Sequence, residues 1–246
     1  MTKKNISEFK FKNISLNLSQ DARSGGNVSH SSRLLSKILP KEFKGKSILD
    51  LGCGSGYMSI GPLVLGASSV LAIDVDDVST QLQANLKLNN IPENKIKFFK
   101  SNLFDSVPPL KDKIDIIIAN LPQHSLPATR KAKNLLGKYG GFDGTDIVCR
   151  GLTEGANFLK VGGQYYGAVS ELTNYERTFA LTKCLYNVKI KQTIQKVLRK
   201  EEMLPWLSDD ELISHLELLK MGGLISYERL NGDITYRVHL VQFTLR

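Results

Sequence analysis

Residues 50–56 read Asp-Leu-Gly-Cys-Gly-Ser-Gly, an acidic side chain followed by alternating glycines. Glycines let a backbone turn sharply and approach a ligand without a Cβ in the way. A glycine triplet alone also suits a dinucleotide. Asp50 favours a different ligand, because a carboxylate repels a diphosphate and attracts the ammonium of an amino-acid head group. A second acidic residue, Asp74, ends the next apolar run. An ionised carboxylate offers only acceptors, which match the two donors of a ribose 2′,3′-diol. After a third run, Asn102 has an amide suited to the edge of an adenine. Ammonium, ribose and adenine together favour S-adenosyl-L-methionine over NAD. The expected cofactor-binding set is Asp50, Gly52, Cys53, Gly54, Gly56, Asp74, Val75, Asn102, Leu103 and Asn120.

The remaining reactive side chains are sparse. Cys53 is expected to pack against the cofactor, since a catalytic thiol needs a basic neighbour that the sequence does not provide. His124 is a residue type that could take a proton from an amine or hydroxyl acceptor, and its plainer role is a loop residue bonded to backbone. His30 lies in the N-terminal element, where it could touch the substrate; His215 and His239 have no companions at ligand spacing, and Cys53, Cys149 and Cys184 are scattered. Neither a metal site nor a disulfide framework is expected.

Acidic residues and glycines at these positions need parallel strands whose C-terminal ends converge. The pattern supplies them. Residues 48–51, 70–74, 96–99 and 114–119 read as strands, the last nearly all apolar, as in a sheet covered on both faces. Helices are expected from the glycine turn to Leu65 and over 78–88, 145–159 and 171–185, with further strands over 164–169 and 188–197. Residues 209–221 form an amphipathic helical pattern, and runs 225–230 and 234–245 flank an Asn231-Gly232 turn. This predicts an α/β fold, a doubly wound, mostly parallel seven-stranded sheet with a C-terminal antiparallel hairpin, Rossmann-like in plan. Upstream lie weak strand alternation over 9–18, a loop over 19–27 with Gly25-Gly26, and a helix over 29–39 that Ser29, Ser31 or Ser32 can cap. The expected organisation is an N-terminal closing element at 1–40, a cofactor-binding core at 41–199, an insertion at 200–222 and a completing hairpin at 223–246. The insertion, with Trp206, reads either as a lid or as a helix that covers a sheet edge.

The segment Ile48–Ile60, the acidic Asp74 and the strand that ends in Asn120-Leu-Pro-Gln123 resemble the class I S-adenosylmethionine-dependent methyltransferases. Ala84-Asn85, Asn102-Leu-Phe-Asp105, Gly140-Gly-Phe-Asp-Gly144 and Arg150 resemble more closely the protein-glutamine N5-methyltransferases that modify peptide release factors. Ser32, before Leu34-Leu35, is similar to that group's element that closes over the cofactor. The resemblance implies direct methyl transfer to a nitrogen. In that group an Asn-Pro-Pro-Tyr turn holds the acceptor through the Asn carbonyl and a prolyl carbonyl, with the aromatic ring on its plane. The matching catalytic positions are Asn120, Leu121, Pro122 and Gln123, with His124 next in line. Gln123 stands where the ring would be, and stacking on a base contributes about 1–3 kcal/mol. Phe104, Tyr139 or Trp206 would have to supply a ring instead. Residues 1–40 also leave no room for the group's separate helical recognition domain. The expected acceptor is therefore a small molecule or peptide other than the release-factor glutamine.

Composition bounds the partners. With 33 Lys and Arg against 24 Asp and Glu, the net charge of +9 would attract nucleic acid, an acidic protein or an acidic small substrate. Lys189, Lys191, Lys196, Arg199 and Lys200 form the densest basic stretch, which also suits a protected edge strand. No apolar run long enough to span a membrane occurs, nor an apolar export segment, so a cytoplasmic location is expected. Competing readings are an RNA or ribosomal-component methyltransferase and a non-catalytic module that binds a partner through the cofactor fold.

Overall fold

The computed structural model describes residues 5–20, 28–128, 138–200 and 207–246. The loop with Gly25-Gly26, and Trp206, lie outside them. The N-terminal alternation folds not as one strand but as two, β1 (Asn5–Phe11) and β2 (Ile14–Gln20), paired antiparallel in a sheet of their own. Lys12, at φ +55°, makes the turn between them. Helix α1 (His30–Ile38) follows, capped by Ser29, whose side chain accepts the Ser32 N–H.

Strand and helix then alternate as β3 (Ser47–Leu51), α2 (Tyr57–Val64), β4 (Ser69–Asp74), α3 (Ser79–Leu88), β5 (Ile96–Lys100) and β6 (Ile114–Ala119). Helix α4 (Asp146–Gly155) ends earlier than its pattern suggests. The chain beyond it is drawn into β7 (Leu159–Ser170), which takes in Gly162 and Gly163, and the Phe158 carbonyl accepts the Ile114 N–H. Helix α5 (Tyr175–Thr182) starts at 175 rather than 171, because Asn174 caps it by accepting the Arg177 N–H. Next come β8 (Tyr186–Val197), α6 (Asp209–Met221), β9 (Glu228–Leu230) and β10 (Asp233–Leu245).

The sheet runs in the order β5-β4-β3-β6-β7-β10-β8, and β9 pairs with β10 off that path. It therefore has eight strands, one more than the seven expected, because the short β9 pairs in its own right. Pairs β3–β4, β3–β6 and β4–β5 are parallel, and β9–β10 is antiparallel. The chain steps outward from β3 to β5 and then returns to the other side of β3, and that reversal opens a crevice at the strand ends.

By its internal contacts the chain falls into two compact units. The first comprises Met1–Asn120, Glu154–Tyr166 and Thr244–Arg246. Its core packs Leu16, Leu35, Ile48, Tyr57, Ile60, Leu82, Ile116 and Ile118 together. Helix α3 also presents three amides at four-residue spacing to the open edge of β2. Gln81 donates to the Ser19 carbonyl, Asn85 accepts the Ser19 N–H, and Asn89 both donates to and accepts from Asn17. These side chains satisfy edge groups that another strand would otherwise pair.

The second unit comprises Leu121–Thr153 and Gly167–Phe243. Helix α6 begins with a Ser208–Glu211 capping box and buries Leu212, Leu216 and Leu219 among Leu126, Leu172, Tyr227 and Ile234. No helix among the described residues is long and apolar enough to cross a membrane.

Candidate active site

The glycine turn leaves β3 with Gly52 and Cys53 both donating to the Ile73 carbonyl, at 2.8 and 3.0 Å. Gly54 and Gly56 take φ +47° and +79°, where a side chain is strained. A Cβ on Gly56 would lie 2.5 Å from a terminal methyl of Leu82 on α3, so a side chain there would also have to displace that methyl. Beside Gly54, by contrast, a Cβ would meet nothing within 4 Å. Asn85, fully buried on α3, donates to the Ser55 carbonyl at 2.8 Å and so ties the turn down.

Asp74, at the end of β4, accepts the Gly54 N–H at 2.8 Å through one oxygen and the Asp76 N–H at 3.1 Å through the other. Each oxygen keeps a further lone pair. Val75 beside it is an exposed apolar side chain, and Asn102 after β5 is exposed as well. Leu103 is buried and Phe104 stacks on Phe158 at 4.5 Å, so Phe104 is not a free ring. Asp50 differs from expectation. It is 2% exposed and accepts the Ser59 hydroxyl at 2.6 Å. Burial pushes its pKa up to about 7, against the lowering effect of the Ser59 bond. The fixed negative charge assumed from sequence is thus a group divided between two protonation states near neutrality. Burial also raises the Cys53 thiol well above its usual range, which removes it as a nucleophile.

Asn120 ends the first unit, one residue beyond β6. Its Nδ2 donates to Ser29 Oγ at 3.1 Å and Ser32 Oγ at 3.0 Å. The Ser29 hydroxyl in turn donates to Ser32 Oγ at 3.0 Å. Among the described residues, none donates to Asn120 Oδ1.

In the second unit, Gln123 Oε1 accepts the Ser170 N–H at 2.9 Å, so this side chain is spent on the end of β7. His124 bridges to Tyr139 through its backbone, accepting from Gly140 and donating to the Lys138 carbonyl, both at 3.0 Å. Leu121 is buried and Pro122 half-buried. The Gly140–Gly144 loop packs against this turn, and a Cβ on Gly140 would stand 2.5 Å from Gln123 Cα. Asp143 pins the loop by accepting from Arg177, Asn174 and Thr145. His215 of α6 bonds the Phe142 carbonyl through Nε2 at 2.9 Å. His239 faces Thr193 and the buried Glu171, and among the described residues no His, Cys, Asp and Glu cluster could hold a metal.

The model of the ribosomal protein L11 methyltransferase (PrmA) family matches residues 33–138. MJ0928 of Methanocaldococcus jannaschii, provisionally assigned as a protein N5-glutamine methyltransferase, is 32% identical over 158 residues, 63% of this chain and 77% of that protein. The chain belongs to the class I S-adenosylmethionine-dependent methyltransferases. A ribosomal protein L11 methyltransferase of Fusobacterium nucleatum is 37% identical over 102 residues, 40% of this methyltransferase and 32% of the relative. The fold is shared with the Thermus thermophilus 16S rRNA N2 G1207 methyltransferase, solved with AdoMet and guanosine, at TM-score 0.60 and 17% identity. That likeness covers 98% of this chain and 50% of the other.

Of the residues singled out in this methyltransferase, the glycine turn, Asp74, Asn102 and Asn120 follow the C-terminal ends of the adjacent strands β3, β4, β5 and β6. Ser32 is joined to them through Asn120. Leu121, Pro122, Gln123 and His124 fall in the second unit. Sequence reasoning missed two partners, Ser59 on Asp50 and the amide ladder of α3, and treated Ser29 only as a cap. The four-residue spacing of Gln81, Asn85 and Asn89 was the available signal for the ladder.

Proposed function

We propose that this methyltransferase methylates a hydrogen-bearing nitrogen of a peptide or protein, presented to Asn120. The reading is carried by the bare Oδ1 of Asn120, an acceptor set at the end of β6 beside the glycine turn. The fit to S-adenosylmethionine rests on two features, the open space at Gly54 and the lone pairs that Asp74 keeps after holding the turn. In this reading Asp74 holds the ribose, Asp50 faces the ammonium, and Val75, Asn102 and Leu103 line the adenine. When bound, the cofactor supplies a methyl group on a positively charged sulfur.

Asn120 would accept an N–H of the acceptor, which orients the nitrogen lone pair toward the donor; the N–CH3 bond would form as the S–CH3 bond breaks to leave a neutral thioether, and the nitrogen would then pass its extra proton to solvent. Orientation and exclusion of water do most of the work in such a displacement. Gln123, tied to Ser170, offers no aromatic shelf, which supports an acceptor other than the release-factor glutamine. A second reading, methylation of RNA, is favoured by β8, which is exposed along most of its length and where Lys189 and Lys191, like Arg199 beyond it, make no ion pair among the described residues.

The test is transfer of tritiated methyl from S-adenosylmethionine to total protein and total RNA of a bacterial lysate, each digested afterward. Label lost to protease and resistant to ribonuclease is the expected result. Label confined to RNA would replace this reading with the second one.

A further inference from the structure

The strands that carry the glycine turn and Asp74 at their C-terminal ends border a second concave space at their N-terminal ends. A cavity of about 560 Å³ opens there, lined by the first residues of β3, β4, β5 and β6, namely Ser47, Ser69, Ile96 and Ile114. Small-molecule sites run from about 300 to about 1,000 Å³, and this volume lies within that range. Strands rise about 3.3 Å per residue, so β3 and β4 hold the cavity about 13–17 Å from the cofactor end. All of its lining belongs to the first unit.

Five lysines and two aspartates line the cavity, an excess of three positive charges. Three of the ammonium groups are already placed. Lys95 donates to the Ser68 carbonyl at 3.2 Å, Lys113 to the Asn157 carbonyl, and Lys160 to Asp115 at 2.9 Å. An ammonium that gives one hydrogen to a carbonyl keeps its charge and two further donors. A ligand that meets heads held in this way has less side-chain freedom to freeze. Asp115 is occupied within the wall, since the Ser47 N–H and hydroxyl both donate to its other oxygen at 2.9 Å. The side chains of Lys111, Ser69 and Asn94 take no partner among the described residues, so their donors are open to a ligand. Ile96 and Leu110, both half-buried, add an apolar wall.

Like charges gathered around one concave space repel each other and draw in a polyanion. We propose that this cavity is a second ligand site, separate from the cofactor crevice, and that it takes a nucleoside diphosphate. The phosphates meet Lys95, Lys97, Lys111 and Lys113, and the base lies against Ile96 and Leu110. The inference stands apart from the role given to Asn120.

The experiment uses the full chain saturated with S-adenosylhomocysteine, which closes the cofactor crevice to competition. ADP with a methylanthraniloyl fluorophore on its ribose is titrated against it. Saturable binding is expected, displaced by unlabelled ADP and by pyrophosphate and not by adenosine. In Lys97→Glu/Lys111→Glu the affinity should fall about thirtyfold, because each reversal of an exposed lysine replaces a charge-assisted bond with repulsion. Lys97→Arg/Lys111→Arg should keep it. Affinity for S-adenosylhomocysteine, measured by calorimetry, should be equal in all three proteins and reports their folding. Lys111→Glu alone, at a side chain without partners among the described residues, should lose about tenfold and serves if the double variant unfolds.

Binding seen only without S-adenosylhomocysteine would overturn the proposal, because it would place the nucleotide in the cofactor crevice. Undiminished affinity in the glutamate variants, or no binding to the parent, would overturn it as well. So would a twelve-nucleotide RNA that displaces the labelled ADP at lower concentration than ADP itself, which would give the cavity to a nucleic-acid backbone.

Discussion

The side-chain amide of Asn85 donates to the backbone carbonyl of Ser55 at 2.8 Å, so a fully buried residue of helix α3 holds the glycine turn from beneath. Its other end accepts the Ser19 N–H at 2.7 Å. One residue therefore joins the β1–β2 hairpin to the turn. Asn85→Ala leaves a backbone donor and a backbone acceptor without partners, and each buried orphan costs about 1–3 kcal/mol. The variant is expected to lose about 2–4 kcal/mol in urea unfolding. Weaker binding of S-adenosylhomocysteine should accompany that loss.

Asp74 carries a second prediction. Asp74→Asn keeps one acceptor oxygen and replaces the other with a donor, aimed where Asp74 now accepts from Gly54 or Asp76. Charge-assisted hydrogen bonds contribute about 1.5–3 kcal/mol, so calorimetry should show S-adenosylhomocysteine affinity reduced about ten- to a hundredfold. Unaltered affinity would remove Asp74 from the cofactor site.

Asp50 links both stability and binding to pH. Its carboxyl titrates near 7 in the folded chain, because of burial, against about 3.9 when unfolded. Between those values the folded state holds the extra proton, so this group's contribution to stability falls as pH rises from about 4 to about 7. Ligand binding should run the other way. An ammonium facing Asp50 needs the ionised form, so affinity is expected to fall as pH drops through about 7. Asp50→Asn should flatten both profiles, as read by urea unfolding and calorimetry across pH 5–8.

His215 contributes in the opposite sense. Burial lowers its pKa, and the neutral ring bonds the Phe142 carbonyl. The unfolded chain takes up the proton at about 6.5, before the folded chain does, so stability is retained above that pH and lost as pH falls below it. His215→Gln is expected to be less sensitive to acid than the parent between pH 5 and 6.5, measured by thermal unfolding.

Much of the first unit was legible locally. An apolar run that stops at Asp50 and continues into alternating glycines leaves few conformations open, and the strand spacing after it implies parallel pairing around a crevice. The hairpin at 5–20 was less legible, because Lys12 is not a typical residue for a positive φ and its turn carries no glycine. The eighth strand is only three residues long, too short for a periodicity to declare itself.

Residue types and order along the chain were enough to determine the cofactor class and the strand that each of Asp50, Asp74, Asn102 and Asn120 closes or follows. The tertiary structure decided what those side chains are. Asp50 is a poised acid rather than a fixed charge because its burial depends on the whole core. The amide nitrogen of Asn120 is held by Ser29 and Ser32, 91 and 88 residues away, partners that no local pattern joins to it. Local propensity sets backbone geometry over a few residues, whereas protonation and amide orientation answer to neighbours that only the folded chain brings within hydrogen-bond reach.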